Sequence, residues 1–358
     1  MKVVQIRKYG GNEVLEVSDI PKSKPGKNQV LVAVHAASVN PFDLAVRSGG
    51  MRSVSSLQLP FTLGGDFAGV VLETGEDVVD FKIGDEVYGS AIVFGSGSGA
   101  FAQEVSVNIA NCALKPKGVN MQEAAALPLV GSSAVQALEE HIKLKNNQKI
   151  LIHGGAGGIG HIAIQLAKSK GAYVAATVGD KDREFVERLG ADEVIDYKLP
   201  RAKSPRSCSL SLYERADDSN TRKYVFSRIQ PRTDSPRYSA SEYKNQKFED
   251  ILSDFDAVYD TVGGDVTERS FRVLKKGGIL VSMKGQPDEK LAQKYQVFAI
   301  GQFTKINAEH LKRLSELVDA DVVKVHVDKI FTLDAIKDAF EYQEIGHPQG
   351  KVVVKIGN

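Results

Sequence analysis

At 358 residues the chain is long enough for two domains and a substantial core. Its 46 Lys+Arg against 45 Asp+Glu leave no electrostatic case for nucleic acid or an anionic membrane surface as a partner. Hydrophobic residues make up 42%, ordinary for a soluble globular protein, and no apolar run approaches the ~18–20 residues that a membrane span needs. The N-terminal stretch 1–8 alternates like a strand and lacks a signal peptide's apolar core. Two cysteines, Cys112 and Cys208, are too few for a disulfide framework or a four-thiolate zinc site. These features predict a soluble, cytoplasmic protein without nucleic-acid or membrane partners.

Residues 1–120 read as mostly β, with short β-rich runs at 30–35 and 67–72 and turn signals at Pro25-Gly26 and Ile83-Gly84-Asp85. The glycine-rich segment 91–101 reads as a mobile loop. From Met121 the pattern changes. Helices are expected over 122–127 and 132–141, followed by a buried strand over 149–152 that breaks into Gly154-Gly-Ala-Gly-Gly-Ile-Gly160. The next stretch, 161–170, has helical periodicity. A strand over 173–178, a helix over 183–189 and a strand over 193–197 follow. Strands alternating with helices every ~20–30 residues indicate an α/β doubly wound parallel sheet. The pattern resumes with a strand at 257–260, a helix at 266–274 and a strand at 279–283. It closes with a helix at 334–342 and a strand at 351–356.

The interruption, 199–242, is rich in Ser, Arg and Pro, carries excess positive charge and shows no apolar periodicity. Such a segment cannot bury enough apolar surface to offset its ordering entropy, so disorder is predicted. Its flanks echo each other as Asp196-Tyr-Lys198 and Glu242-Tyr-Lys244. Joining them gives a plausible strand-to-helix connection, so the segment reads as an inserted or mis-spliced stretch. A basic functional arm is the other reading. An insertion here, at the carboxyl end of an edge strand, could also impair cofactor binding.

The strand, glycine turn and helix around 149–170 form the arrangement in which dinucleotides place their pyrophosphate. Glycines allow close backbone approach, and the helix N-terminus offers unpaired N–H groups. In wider context the chain resembles the zinc-free, quinone oxidoreductase-like branch of the medium-chain dehydrogenase/reductase superfamily. The resemblance rests on Val39-Asn-Pro-Phe-Asp43, Gly64-Gly-Asp-Phe-Ala-Gly-Val-Val71, Gly84-Asp-Glu-Val-Tyr-Gly89, Ala125-Ala-Leu-Pro128, the glycine turn, Leu189-Gly-Ala-Asp192, Tyr259-Asp-Thr-Val-Gly-Gly264, Lys276-Gly-Gly278 and Gly346-His-Pro-Gln-Gly-Lys351. It runs from end to end, apart from 199–242. It implies a GroES-like β domain over 1–121, a Rossmann domain over 122–304, and a C-terminal return over 305–358, with the active site in the cleft between them. Relatives are often dimers through the far edge of the Rossmann sheet, so a homodimer stays open.

Where zinc-dependent relatives place a cysteine and a histidine, this chain has Asn40 and Gly65, so no metal is expected. His35, His153, His161 and His347 lie in separate segments and read as packing or surface residues. Backbone N–H groups of Ala156, Gly157, Gly158 and Ile159 are expected to line the pyrophosphate. The second strand ends at Gly179, with no acidic residue to hold a ribose 2′-hydroxyl, and Lys181 and Arg183 follow. Together these favour NADPH, against which Asp180 counts; a solvated helix start is the competing role for Lys181 and Arg183. The resemblance points to Asn40, Ser133, Val262 and Gly263 on the nicotinamide side, with a helix-capping hydroxyl as the competing role for Ser133.

Without a metal, hydride transfer requires an acceptor already polarised by conjugation. The expected substrate is a small-molecule quinone or α,β-unsaturated carbonyl, with negative charge delocalising onto oxygen. Some relatives carry a tyrosine after the Asn-Pro-x-Asp motif, and here Leu44-Ala-Val-Arg47 stands instead. Arg47 could orient substrate, although a structural salt bridge competes. Asp43 and Asp66 read as turn or interdomain hydrogen-bonding groups. A 2-enoyl thioester reductase and a non-catalytic NADPH-binding sensor or structural protein are the alternatives.

Overall fold

The computed structural model describes residues 1–52, 57–95, 97–196 and 247–357. The segment expected to be disordered, 199–242, lies outside them. The first half is built from β1 (Lys2–Ile6), β2 (Glu16–Asp19), β3 (Gln29–Val39), α1 (Pro41–Arg47), β4 (Phe61–Thr62), β5 (Asp66–Thr74), β6 (Glu86–Ser90), β7 (Glu104–Asn108) and β8 (Cys112–Leu114). Then come α2 (Met121–Ala125), α3 (Pro128–Val135), β9 (Lys149–His153), α4 (Gly160–Ser169), β10 (Tyr173–Val178), α5 (Arg183–Arg188) and β11 (Glu193–Asp196). Beyond the interruption lie α6 (Phe248–Ile251), β12 (Phe255–Asp260), α7 (Asp265–Ser270), β13 (Leu274–Ser282), α8 (Glu289–Tyr295), β14 (Phe298–Gly301), α9 (Ala308–Asp319), β15 (Val327–Thr332), α10 (Ile336–Ile345) and β16 (Lys351–Lys355).

β3 organises the first sheet. One of its edges pairs with β5. The other is shared, with β7 on Gln29–Ala33 and the C-terminal β16 on Ala36–Val39. Two register shifts in the β3–β5 ladder fall at Leu31/Val32 and Val34/Ala36. The last strand of the chain thus returns to the first sheet and delivers Lys351 beside Asn40.

The second sheet runs β11-β10-β9-β12-β13-β14, and every pairing is parallel. The order in which strands are laid down reverses between β9 and β12, and ligands bind outside the carboxyl ends of strands at such a switch point. β9 is buried on both faces: Ile150 and Ile152 enter the core shared with Ala134, Ile162 and Leu314, while Leu151 joins Phe248, Phe255 and Phe271. Parallel strands covered on both sides read as continuous apolar runs for this reason.

Several expected elements change in detail. The helix expected at 122–127 ends at Ala125, and Pro128 opens the new helix α3, a position where its missing N–H costs nothing. The helix expected at 132–141 is the end of α3 followed by π-helical turns over Gln136–His141. The helix expected at 266–274 stops at Ser270, because buried Leu274 pairs with Phe255 and already belongs to β13. The segment expected to be a mobile loop is tied at its ends by Gly99 N–H to Ala91 O (2.8 Å), Ala100 N–H to Gly64 O (3.0 Å) and Phe101 N–H to Leu63 O (2.9 Å).

α3 and α9 meet at Gly131, where a Cβ would lie 2.2 Å from Leu314 Cδ2. Gly131→Ala is therefore expected to lower stability by about 1–3 kcal/mol through overpacking, measured by urea unfolding. In the Leu314→Ala background the same substitution should cost less. Additivity of the two changes would rule out the contact as the cause.

Candidate active site

The glycine turn follows β9 directly. Gly154 has φ +72°, and the Gly157 N–H closes the turn onto the Gly154 carbonyl at 3.0 Å. That donor is spent inside the turn, which corrects the expectation that all four backbone N–H groups face a phosphate. Gly157 instead contributes openness, since a Cβ there would meet only the Gly154 carbonyl oxygen at 3.4 Å. Ala156, Gly158 and Ile159 lead into α4, whose first N–H groups lack intrahelical partners. The turn is pinned from the C-terminal segment by Gly350 N–H to Ala156 O at 2.8 Å.

At the end of β10, Gly179 is buried and extended (φ −78°, ψ 152°). Lys181 is exposed and donates to the His347 carbonyl at 3.2 Å. Arg183 pairs with Glu187 at 3.6 Å. Asp182 turns inward and accepts from Gln349 Nε2 at 2.7 Å, while Asp180 is exposed. At the end of β12, the Asp260 carboxylate accepts from the backbone N–H groups of Val262 (2.9 Å) and Gly263 (3.0 Å) and from the Thr267 hydroxyl. The Val262–Gly263 loop is thereby fixed on the same rim as the glycine turn.

A buried polar cluster lies between the two sheets. Asp66 Oδ2 accepts from Asn40 Nδ2 (2.9 Å), Ser38 Oγ (3.3 Å) and the Leu129 N–H of α3 (3.3 Å). Asp43 Oδ2 accepts from the Asn40 backbone N–H at 2.8 Å. Lys351 donates to Asn40 Oδ1 and stands 4.0 Å from Asp66 Oδ2. Burial pushes the Asp43 carboxyl up to about 7 and raises Asp66. Burial also lowers Lys351, so desolvation outweighs mutual attraction for all three. Lys351 borders the glycine turn as well, because a Cβ on Gly158 would fall 3.2 Å from Lys351 Cδ.

Other expected residues sit elsewhere. The Arg47 guanidinium contacts the Gly10 carbonyl (3.3 Å), Asn12 and Glu344 (3.6 Å), with Phe340 beneath it. It is locked between α10 and the N-terminal segment and does not enter the cluster; the ion pair with Glu344 is the structural salt bridge weighed as its competing role. The Ser133 hydroxyl donates to the Leu129 carbonyl at 2.7 Å and meets Thr304 Oγ1 at 2.7 Å. It bonds back along its helix and does not cap it. The Tyr88 hydroxyl donates to the Leu311 carbonyl at 2.6 Å, docking α9. His153 lies between Thr177 and Ser270, and His161 between the Gly157 carbonyl and the His326 N–H. Burial pushes both rings down to about 4.

The sequence matches the alcohol dehydrogenase GroES-like domain family over residues 26–117 and the zinc-binding dehydrogenase families over 158–206 and 239–354. It is 32% identical to a chloroplast envelope quinone oxidoreductase homolog of Arabidopsis thaliana, over 99% of this chain and 98% of that one. It is 31% identical to the NADPH-dependent alkenal/one oxidoreductase, chloroplastic, of the same plant, over 99% and 79%. The quinone oxidoreductase of Coxiella burnetii superposes with a TM-score of 0.79 at 32% identity, covering 99% of both chains. The chain belongs to the quinone oxidoreductase-like branch of the medium-chain dehydrogenase/reductase superfamily. The zinc in the family description does not fit the residues of this member. Gly65 offers no ligand, Asn40 is held by Lys351 and Asp66, and the Lys351 cation repels a divalent ion there. Among the described residues no three His, Cys, Asp or Glu side chains converge as a metal-binding group.

Lys351 was not legible as a site residue from the sequence, although it ends the motif at 346–351. Lys351→Met is expected to cost about 3–5 kcal/mol by leaving Asp66 buried without its counter-charge, and adding Asp66→Asn should recover part of that loss in urea unfolding. For His161, the folded pKa of about 4 lies below the ordinary 6.5, so on acidification the unfolded chain takes up a proton first. Stability is lost as pH falls from about 6.5 towards 4, by on the order of 2 kcal/mol between pH 7 and pH 5. His161→Gln keeps a donor and an acceptor but does not titrate. Its thermal midpoint should fall less steeply over that range than that of the wild type.

Proposed function

We propose that this chain is an NADPH-dependent reductase that transfers hydride to a quinone or an α,β-unsaturated carbonyl without a metal. The observation that carries this reading is Lys351, which runs from the glycine turn at Gly158 to the Asn40–Asp66 cluster and joins a dinucleotide cradle to a buried polar site. The NADPH-dependent alkenal/one oxidoreductase and the quinone oxidoreductases among its relatives support the cofactor and the acceptor class. In this reading residues 1–121 and 305–358 form the catalytic unit and 122–304 the cofactor unit. Phe298, exposed on the edge strand β14, supports a homodimer. A cytoplasmic location, consistent with the buried free thiol of Cys112, is part of the same proposal. Among the described residues no helix is long and apolar enough to cross a membrane.

Bound NADPH supplies the hydride. Ala156, Gly158 and Ile159 offer backbone N–H groups to phosphoryl oxygens at the start of α4. Lys181 and Arg183 take the 2′-phosphate. Their present contacts are a backbone carbonyl and an exposed i,i+4 pair, the latter worth only about 0.3–0.5 kcal/mol, so a dianionic phosphate displaces them. Val262, Gly263 and Ser133 bound the nicotinamide side. Asn40 is fixed by a cation at its oxygen and an anion at its nitrogen, which leaves its second amide hydrogen for a ligand. Arg47 keeps the α1 end in place and acts on substrate only through that position.

The test is NADPH oxidation against quinones, alkenals and enoyl thioesters, with and without chelator. We expect turnover on the first two classes, insensitive to chelator. Tight NADPH binding with no turnover on any acceptor would establish a sensor instead. The double variant Lys181→Ala, Arg183→Ala is expected to raise KM for NADPH about tenfold or more, with KM for NADH nearly unchanged. Equal effects on both cofactors would remove these residues from the 2′-phosphate site.

A further inference from the structure

The carboxyl ends of β9, β12 and β13 stand side by side, about 4.8 Å per step, because the sheet order places them as neighbours. The glycine turn leaves the first, and the Asp260-anchored loop leaves the second. Met283, Lys284 and Gly285 leave the third, with the Lys284 N–H on Ser282 Oγ at 3.1 Å. The Lys284 stem lies over Gly263, where a Cβ would fall 2.6 Å from both Lys284 Cβ and Cγ. Only a glycine at 263 lets the lysine lie across this loop.

Among the described residues the Lys284 ammonium has no hydrogen-bond or ion-pair partner. The nearest influential carboxylate, Asp260, is already occupied by Val262, Gly263 and Thr267. Lys284 is open to solvent, yet the protein around it is dense enough that desolvation lowers its pKa, with Asp260 opposing. Lys284 thus stands, open to solvent, across the Val262–Gly263 loop at the carboxyl ends of the parallel strands. An unpaired cation held there favours an anionic ligand.

We propose that Lys284 binds a negatively charged oxygen on the nicotinamide half of the site. Resting on the hydride-transfer reading above, this gives the shared chemistry two sources. One is a phosphoryl oxygen of the cofactor's nicotinamide half. The other is the acceptor oxygen, which gains negative charge as hydride adds at carbon and the π electrons move onto oxygen; that oxyanion or its carbon is then protonated from solvent. Lys284 lies one strand beyond the Val262–Gly263 loop and complements the phosphate-binding turn.

The experiment uses the full chain with Lys284→Met and Lys284→Arg. Affinity for NADPH and for reduced nicotinamide mononucleotide, which lacks the adenosine half, is measured by calorimetry, and kcat and KM are measured for a quinone and an alkenal. With a phosphate as partner, Lys284→Met weakens both nucleotides about tenfold or more, leaves kcat unchanged, and Lys284→Arg restores affinity. With the acceptor oxygen as partner, nucleotide affinity is unchanged while kcat falls about tenfold or more and arginine restores part of it. Folded variants with wild-type affinity and wild-type kcat overturn the assignment. A wild-type chain that binds neither nucleotide overturns the hydride-transfer reading, and the Lys284 assignment with it.

Discussion

The buried Lys351 side chain is the contact on which the site depends. It enters from β16, passes the glycine turn beside Gly158, and ends on Asn40 with Asp66 at 4.0 Å. Asp66 in turn accepts from the Leu129 N–H of α3. One cation therefore ties together the last strand, the end of β3, the start of β5 and, through Asp66, the helix that follows α2. The Gly350 N–H on the Ala156 carbonyl adds a second tie one residue away. Removing an ion from water costs several kcal/mol, and this is recovered only if partners are close and well oriented. The relative placement of the sheets is thus coupled to the protonation of a few buried groups.

The same cluster explains why this member of the superfamily suits metal-free chemistry. A divalent cation needs N, S or O ligands that converge with open lone pairs. At Asn40 the amide oxygen is taken by an ammonium and the amide nitrogen faces a carboxylate, and Gly65 provides nothing. The positive charge of this cluster comes from Lys351, embedded in hydrogen bonds and shielded by two aspartates. Such a charge orients groups and polarises weakly, so the acceptor must bring its own conjugation.

Much of the fold was legible from the sequence because it is carried by local pattern. Strand runs such as 173–178 and the glycine turn follow from periodicity and from residues only glycine can replace. The boundaries that moved did so for tertiary reasons: Leu274 joins β13 because Phe255 lies beside it, and Pro128 restarts a helix that apolar spacing alone would have continued. The site was legible only in part. The turn residues and Asn40 sit in recognisable motifs. Lys351 and Lys284 acquire meaning from partners 311 residues and about 20 residues away in the chain, which no local pattern encodes. Arg47 shows the converse, since its neighbours Gly10, Asn12 and Glu344 come from distant segments and turn a charged residue near a motif into packing.

In the proposed cofactor site, selectivity for the phosphorylated cofactor would also follow from where charge is withdrawn. Asp182, the carboxylate closest in sequence to the cationic pair, is drawn inward by Gln349, while Lys181 reaches the carbonyl of His347 in the same loop. The segment 346–350 therefore does three things at once: it removes an acid from the adenosine rim, holds a lysine on that rim, and pins the glycine turn through Gly350. Anchored next to Lys351, it makes the geometry of the proposed 2′-phosphate side depend on the same strand that sets Asn40. In the proposed function, cofactor recognition and acceptor positioning would then be not separate modules but two ends of one C-terminal element.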